Sequence, residues 1–303
     1  MDNFFTIILK KISTQGGKKR TRLERIFLLG SFLCLGITLA ILTSLLVTIL
    51  QDGFPRLTWH FITNFPSRNP EVAGILSALV GSLYLIIITA LIAIPMGVGA
   101  AIYFEKYAKK NWFNYLMEIN IGTLAGIPSI IYGLLGLGLF VRIMALERSL
   151  IAGALTLTIL ILPIIIISAR ESIRQVPSSL QDGAYALGAT RSQVIGGIIL
   201  PLSLGGILTG AILALSRAIG ETAPLITIGA LTYVAFLPKN LMSPFTALPI
   251  QIFNWISRPQ ALFHQNAAGG IIILLSITLF LNILAILAKN YFSRKFTQKK
   301  IKN

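Results

Sequence analysis

Long uninterrupted apolar runs alternate with short polar stretches along this 303-residue chain. A helix needs about 20 apolar residues to cross a hydrocarbon core roughly 30 Å thick. Six runs meet that demand: Ile26–Leu50, Ala73–Phe104, Ile119–Val141, Leu150–Ser168, Leu202–Leu231 and Gly269–Ala288. The first has no charge, is too long for a signal-peptide core and is followed by no small-residue cleavage site, so it reads as an uncleaved span. Two runs exceed the minimum, which predicts tilt or ends that project from the bilayer. The pattern predicts an all-α integral membrane protein with six transmembrane helices. A basic N-terminal segment (1–25) precedes the first span (26–50); a five-helix domain covers 72–288 and a basic tail covers 289–303. Within the first segment, Phe4–Leu9, flanked by Lys10 and Lys11, reads as a short interfacial elbow.

One connecting stretch has a pattern of its own. Ser179-Leu-Gln-Asp182 has the form of a capping box, and Gly188 is the residue expected at a left-handed helix stop. Thr190-Arg-Ser-Gln193 repeats the capping pattern, and a second helix follows through Val194, Ile195, Ile198 and Ile199 toward Pro201. Asp182, Arg191 and Gln193 forbid the bilayer core. The prediction is helix, glycine elbow, helix, lying outside the bilayer between spans four and five. Ala184, Tyr185 and Leu187 make an apolar side on the first helix. Two readings are open on these residues: a docking surface for a partner on that side of the membrane, or an amphipathic loop resting on headgroups.

Composition agrees with the span pattern: 55% of residues are hydrophobic, 12% are charged and mean hydropathy is +0.80, where soluble domains are about a quarter charged. A formal charge of +16 raises nucleic acid as a partner, but the distribution argues against it. Nineteen of the 26 lysines and arginines fall on the side that holds both termini and the loops after spans two and four. Six fall on the other side and Arg217 lies inside a span. The positive-inside rule therefore predicts cytoplasmic termini and a cytoplasmic 182–201 segment. A single cysteine, Cys34, and two histidines support neither an intrachain disulfide nor a soft-metal site. No cofactor is predicted. No phosphate-binding loop of the G-x-x-x-x-G-K-[ST] form is present, and Gly16-Gly17-Lys18-Lys19-Arg20-Thr21 does not supply one.

Candidate chemistry concentrates in SRAIGETAPL (216–225). Arg217 and Glu221 are the only charges deep in an apolar run, each costing about 2.5–3.5 kcal/mol at a helix centre. At i and i+4 they share a helix face and can pair. Intramembrane charges usually face a bundle interior or an aqueous path, and an arginine fork suits a phosphate oxyanion. Two readings stand: Arg217 and Glu221 as translocation-pathway groups, or as a structural ion pair. In GIPSIIYG (126–133), Gly126, Pro128 and Gly133 predict a kink in span three, with Ser129 and Tyr132 as alternative groups on a water-filled path. Proline at 95 and 224 is read the same way. The outer loop 232–268 is long, and PIQIFNWIS within it places Phe253 and Trp255 as interface anchors or as a gate and landing site for a soluble protein. His60 and His264 read as solvated loop residues.

The elbow's spacing resembles the E-A-A-x3-G-x9-I-x-L-P loop of ABC-importer permeases. It reads here Asp182-Gly183-Ala184, Gly188, Ile198, Leu200 and Pro201, with Asp in place of Glu and Gly in place of Ala. The second change loosens the helix by roughly 1 kcal/mol. GIPSIIYGLLGLGLF (126–140), SRAIGETAPL, TALPIQIFNWISRPQ (246–260) and PMGVGAAIYFEKYA (95–108) resemble the phosphate-importer permease subunits of the PstA type. The likeness covers about residues 72–288. It implies a type I ABC importer permease fold, with Asp182, Gly183, Ala184, Gly188, Ile198, Leu200 and Pro201 as the ATPase-coupling loop. It also implies alternating access, with ATP hydrolysis in a separate subunit rather than in this chain. The implied partners are a homologous permease (as a heterodimer), two ATP-binding subunits and an extracytoplasmic phosphate-binding protein at a bacterial inner membrane. Sulfate or molybdate is the neighbouring substrate reading. A self-sufficient secondary carrier predicts symmetry between halves, which the sequence does not display. A scaffold that moves nothing predicts dispensable Arg217 and Glu221.

Overall fold

The computed structural model describes residues 17–109, 111–230 and 233–299, so the elbow expected at Phe4–Leu9 lies outside the described residues. Two compact units are distinguished, one ending at Gln51 and one beginning at Asp52. The first span is carried by helix α1 (Gly17–Gly53). Its apolar side chains from Ile26 through Leu46 are exposed, as a helix apolar on all sides requires of a lipid-facing element. Three of its hydroxyls are met within the helix: Ser31, Thr38 and Thr48 donate to the carbonyls of Phe27, Cys34 and Ser44 at 2.8–3.0 Å.

The second unit begins with a short helix, α2 (Trp59–Thr63), then α3 (Leu76–Ile102), whose last turn widens to a π-helical turn at Tyr103–Tyr107. Next come α4 (Trp112–Leu124) and α5 (Ser129–Gly136), the latter extended by a π-helical stretch to Ile143. Helix α6 (Leu150–Arg174) is the central element. Its side chains join three clusters in succession: Leu150 and Leu157 with Leu85 and Phe245, then Leu160, Ile161 and Ile165 with Ala93 and Ala214, then Ala169 and Ile173 with Val194, Ile199 and Ile207. A fourth cluster gathers Phe61, Ile75, Leu248, Trp255 and Phe263 away from α6.

Close approach of backbones holds these helices, since lipid tails are as apolar as leucine and give no hydrophobic drive for helix pairing. Gly206 and Gly210 of α9 (Leu200–Gly220) lie on Ser172 and Ser168 of α6, and a Cβ at either glycine would overlap those hydroxyls. One turn before Ser168 on α6, a Cβ at Gly97 of α3 would stand 2.5 Å from the Ile165 side chain. Glycines thus let α3 and α9 both approach α6 closely.

Among the described residues, five helices are long and apolar enough to cross a membrane: Ile26–Arg56, Leu76–Tyr107, Leu150–Arg174, Arg191–Gly220 and Ala261–Leu287. A bent pair, Trp112–Leu124 and Ser129–Ile143 meeting at 109°, makes a sixth span if its two arms cross together and a re-entrant loop if they do not. The bend expected in span three at Gly126 and Pro128 is present and sharper than a kink, whereas other expectations change. Span five ends at Gly220 rather than Leu231; Glu221 takes an extended conformation and a short α10 (Ala223–Thr227) follows. Ser179 does not cap a helix: α7 (Ser178–Ala186) starts one residue earlier, after Pro177, with no side-chain cap. Trp255 is no interface anchor, being wholly buried on α11 (Leu248–Ile256), while Phe253 on the other face is exposed. His60 and His264 are exposed as expected but ride on helices, α2 and α12 (Ala261–Lys299), rather than loops.

Candidate functional site

The elbow is built by local chemistry at both of its turns. Leu187 closes α7, Gly188 adopts φ +84°, and the chain reverses through Gly188 N–H to Tyr185 O (2.9 Å) and Ala189 N–H to Ala184 O (3.0 Å). That pair of bonds is a Schellman closure, which satisfies orphan carbonyls and requires the left-handed conformation that glycine adopts without strain. Two residues on, Thr190 caps α8 (Arg191–Val194) in a complete capping box. Its hydroxyl accepts from Gln193 N–H, and the Gln193 side chain accepts from Thr190 N–H at 2.8 Å.

The residues of the spaced motif divide between two environments. Asp182 and Gly183 are exposed, no residue of α7 is buried, and Leu187 is 91% exposed at the tip. Ile198, Leu200 and Pro201 are half-buried in the bundle, next to the fully buried Ile199. They belong to a π-helical stretch (Ile195–Ile199) and to α9, which continue α8 without a break. The second helix of the elbow is therefore the leading end of span five. Pro201 does not stop it: the helix runs on through this residue, directly after the π-helical stretch Ile195–Ile199. The elbow is one free helix joined through glycine to a 30-residue rod, Arg191–Gly220.

At the far end of that rod stands the predicted charged pair. Arg217 Nε meets Glu221 Oε1 at 3.2 Å, with side-chain exposures of 46% and 16%. Arg217 lies in the last turn of α9 and Glu221 just past it, so the charges mark a helix end and not the middle of a continuous span. The open backbone there leaves the guanidinium half-exposed.

Beside this break sits the bend of span three. Tyr132 is buried and donates from its hydroxyl to Leu124 O at 2.7 Å, tying the two arms together across the interruption. Gly133 packs on α10, where a Cβ would stand 2.7 Å from Pro224 Cα and 2.8 Å from Thr227 Cβ. GIPSIIYG is thus a bend that seats α5 against α10. The Tyr132 hydroxyl is engaged by the Leu124 carbonyl.

Sequence reasoning missed a second charged assembly. Arg170, only 9% exposed at its side chain, donates to Glu105 at 2.8 Å and to Glu118 at 2.7 Å, and lies over the Phe104 ring. Arg174 joins the same carboxylates at 3.0 and 3.4 Å and also Glu171 at 3.2 Å. The signal was present in ARESIR (169–174) and FEKY (104–107), but those residues come together only when α3, α4 and α6 pack. Among the described residues, no cluster of His, Cys, Asp and Glu is arranged to hold a metal ion.

Comparison with known proteins agrees with this geometry. The chain is 32% identical, over 82% of its length, to the probable ABC transporter permease protein YqgI of Bacillus subtilis, covering 89% of it. It is 34% identical, over 84% of its length, to the phosphate transport system permease protein PstA of Haemophilus influenzae, covering 87% of that protein. A chain of the bacterial alginate ABC transporter, solved with its alginate-bound periplasmic protein, shares the fold at TM-score 0.63 and 17% identity, over 92% of this chain and 96% of its own. Residues 93–298 match the family model described as binding-protein-dependent transport system inner membrane component. The exposed elbow, the membrane-length helices and that match together make this chain a member of the binding-protein-dependent transport system inner membrane component family.

Proposed function

We propose that the chain is the membrane permease subunit of an ATP-driven importer that moves inorganic phosphate into the cell by alternating access. The observation that carries the reading is the continuous rod from Arg191 to Gly220, with the exposed elbow at one end and Arg217 at the other. At 1.5 Å per residue the rod is about 45 Å long. A helix of that length, packed on α6, transfers a displacement at its elbow end to its charged end. Relatives named as phosphate permeases support the substrate assignment.

The elbow faces the cytoplasm, as do both termini, and α7 docks on an ATP-binding subunit. A homologous permease completes the pathway, and an extracytoplasmic phosphate-binding protein delivers the ion. ATP hydrolysis resides in the docked subunit. Its closure on ATP draws the elbows together and favours the outward-open state; hydrolysis reverses the bias. Such coupling requires that each state bind the motor with different affinity, since a partner indifferent to both shifts nothing.

Arg217 supplies a fork of donors that phosphate can engage with two parallel bonds. Glu221 holds that fork when no anion is present. An arriving phosphate competes with the carboxylate, and the released Glu221 then repels the anion onward.

Phosphate uptake by Arg217→Lys and Glu221→Gln variants tests this role, with co-purification of the ATP-binding subunit as the assembly control. Arg217→Lys is expected to lower uptake at least tenfold, because an ammonium cannot reproduce the bidentate fork, while the complex assembles normally. Full transport in both variants leaves the pair a structural one.

A further inference from the structure

Helix α3 ends in a feature that neither the elbow nor the charged pair explains. At Tyr103 its hydrogen bonding lengthens by one residue, and Ala108 N–H closes the turn on Tyr103 O at 2.8 Å. Single π-helical turns of this kind are rare and occur often at functional positions. Successive residues of a helical turn point in different directions, so four in a row can reach neighbours on several sides.

All four from Phe104 to Tyr107 do so. The Phe104 ring lies under the Arg170 guanidinium, 5.5 Å from centroid to Cζ. The Glu105 carboxylate accepts from Arg170 Nε at 2.8 Å and Arg174 Nη2 at 3.0 Å, both on the last turns of α6. Lys106 Nζ donates to Gln181 Oε1 at 2.8 Å, on the free helix α7 of the elbow. Gln181 is held in turn by donating to Val176 O at 3.2 Å. The Tyr107 ring lies under the Arg191 guanidinium at 5.3 Å, on the first residue of α8. The turn therefore touches the elbow on both sides of Gly188, as well as the stem that leads into it.

We propose that Tyr103–Tyr107 is a transmission hub, a second attachment of the elbow to the bundle that drives α3 together with α6 and α9. Peptide bonds link the elbow only to α6 and α9. Apart from this turn, α3 is joined to α6 by close packing at Gly97 and by one buried side-chain hydrogen bond, Thr89 to Ala154 O at 3.3 Å, and none of these reaches the elbow itself. Glu105, Lys106 and Tyr107 are then positioning residues for transport: they touch no phosphate but decide how much of the motor's stroke reaches α3. The inference rests on the transport reading above.

The test uses the complete importer in proteoliposomes, with binding-protein-stimulated ATP hydrolysis and phosphate uptake measured in parallel. Lys106→Met combined with Tyr107→Leu removes both elbow contacts while keeping the side chains' bulk. The expected result is ATP hydrolysis within twofold of the unmodified importer and uptake reduced at least fivefold, so that phosphate carried per ATP falls. Lys106→Arg with Tyr107→Phe, which keeps a donor and a ring, is expected to restore the ratio. A merely structural role lowers hydrolysis, uptake and complex yield in parallel and overturns the proposal, as does an unchanged ratio.

A second measurement applies where the double variant assembles poorly. Lys106→Cys and Gln181→Cys, in a Cys34→Ala background, are crosslinked by a short bifunctional maleimide. A hub that moves with the elbow keeps at least half its uptake when crosslinked, and loss of uptake on crosslinking overturns the proposal. The unmodified importer separates the two levels of inference. Uptake there that ignores ATP removes the transport reading and the hub together, whereas ATP-driven uptake with an unaltered variant ratio removes the hub alone.

Discussion

Gly183 and Gly188 stand five positions apart in the same elbow, and the structure asks different things of them. Gly188 sits at φ +84° with open space around it, so a side chain there meets backbone strain and no clash. For an L-residue that strain is roughly 1–2 kcal/mol. Gly188→Ala is expected to destabilise the elbow by about that amount and weaken co-purification with the ATP-binding subunit; Gly188→Asn, which tolerates the left-handed region, loses less. Gly183 lies inside α7 with nothing near its missing Cβ. Gly183→Ala should stiffen α7 by up to about 1 kcal/mol and leave co-purification intact or stronger. Both glycines were legible as residues of a spaced motif. The backbone angle at Gly188 agrees with the left-handed stop read from the sequence, and Gly183 lies within the helix.

The unit of behaviour at the next scale is the helix and its neighbour. Span five is held on α6 through Gly206 and Gly210 against Ser172 and Ser168. Gly210→Leu is expected to force these helices apart at an overpacking cost of about 1–3 kcal/mol or more, read as a lower melting temperature of the purified protein in detergent. Leucine at Gly138, where no atom lies within 4 Å of a built Cβ, is the control that should melt unchanged. Sequence spacing located span five but not its bounds. An apolar run from Leu202 to Leu231 marks where a helix can lie in lipid; it does not register that Glu221 leaves the helix or that the elbow's second half is already part of it. The capping box at Thr190 was legible because it closes within four residues. The box expected at Ser179 failed because Pro177, pre-set in φ and two residues earlier, fixes the entry to α7.

For the whole molecule, the asymmetry of lysine and arginine sets a testable direction across the membrane. Leu187→Cys in a Cys34→Ala background places a thiol at the exposed tip of the elbow. A membrane-impermeant maleimide should label it in inside-out vesicles and spare it in intact cells; labelling in intact cells reverses the topology and with it the motor's docking side. What the sequence determined by itself is what depends on few neighbouring residues or on summed composition: six apolar runs, charge asymmetry, a glycine stop and one complete cap. Tertiary structure decided which faces of those runs meet protein. Trp255 is buried while Phe253 is exposed, the arms of span three meet at 109°, and Glu105, Glu118, Arg170 and Arg174 converge from three helices. The physical reason is the solvent. In water, polar and apolar positions separate outside from inside, but lipid is as apolar as a protein core. Inside the bilayer that distinction fades from the sequence, and close packing and ion pairing between distant segments choose the arrangement.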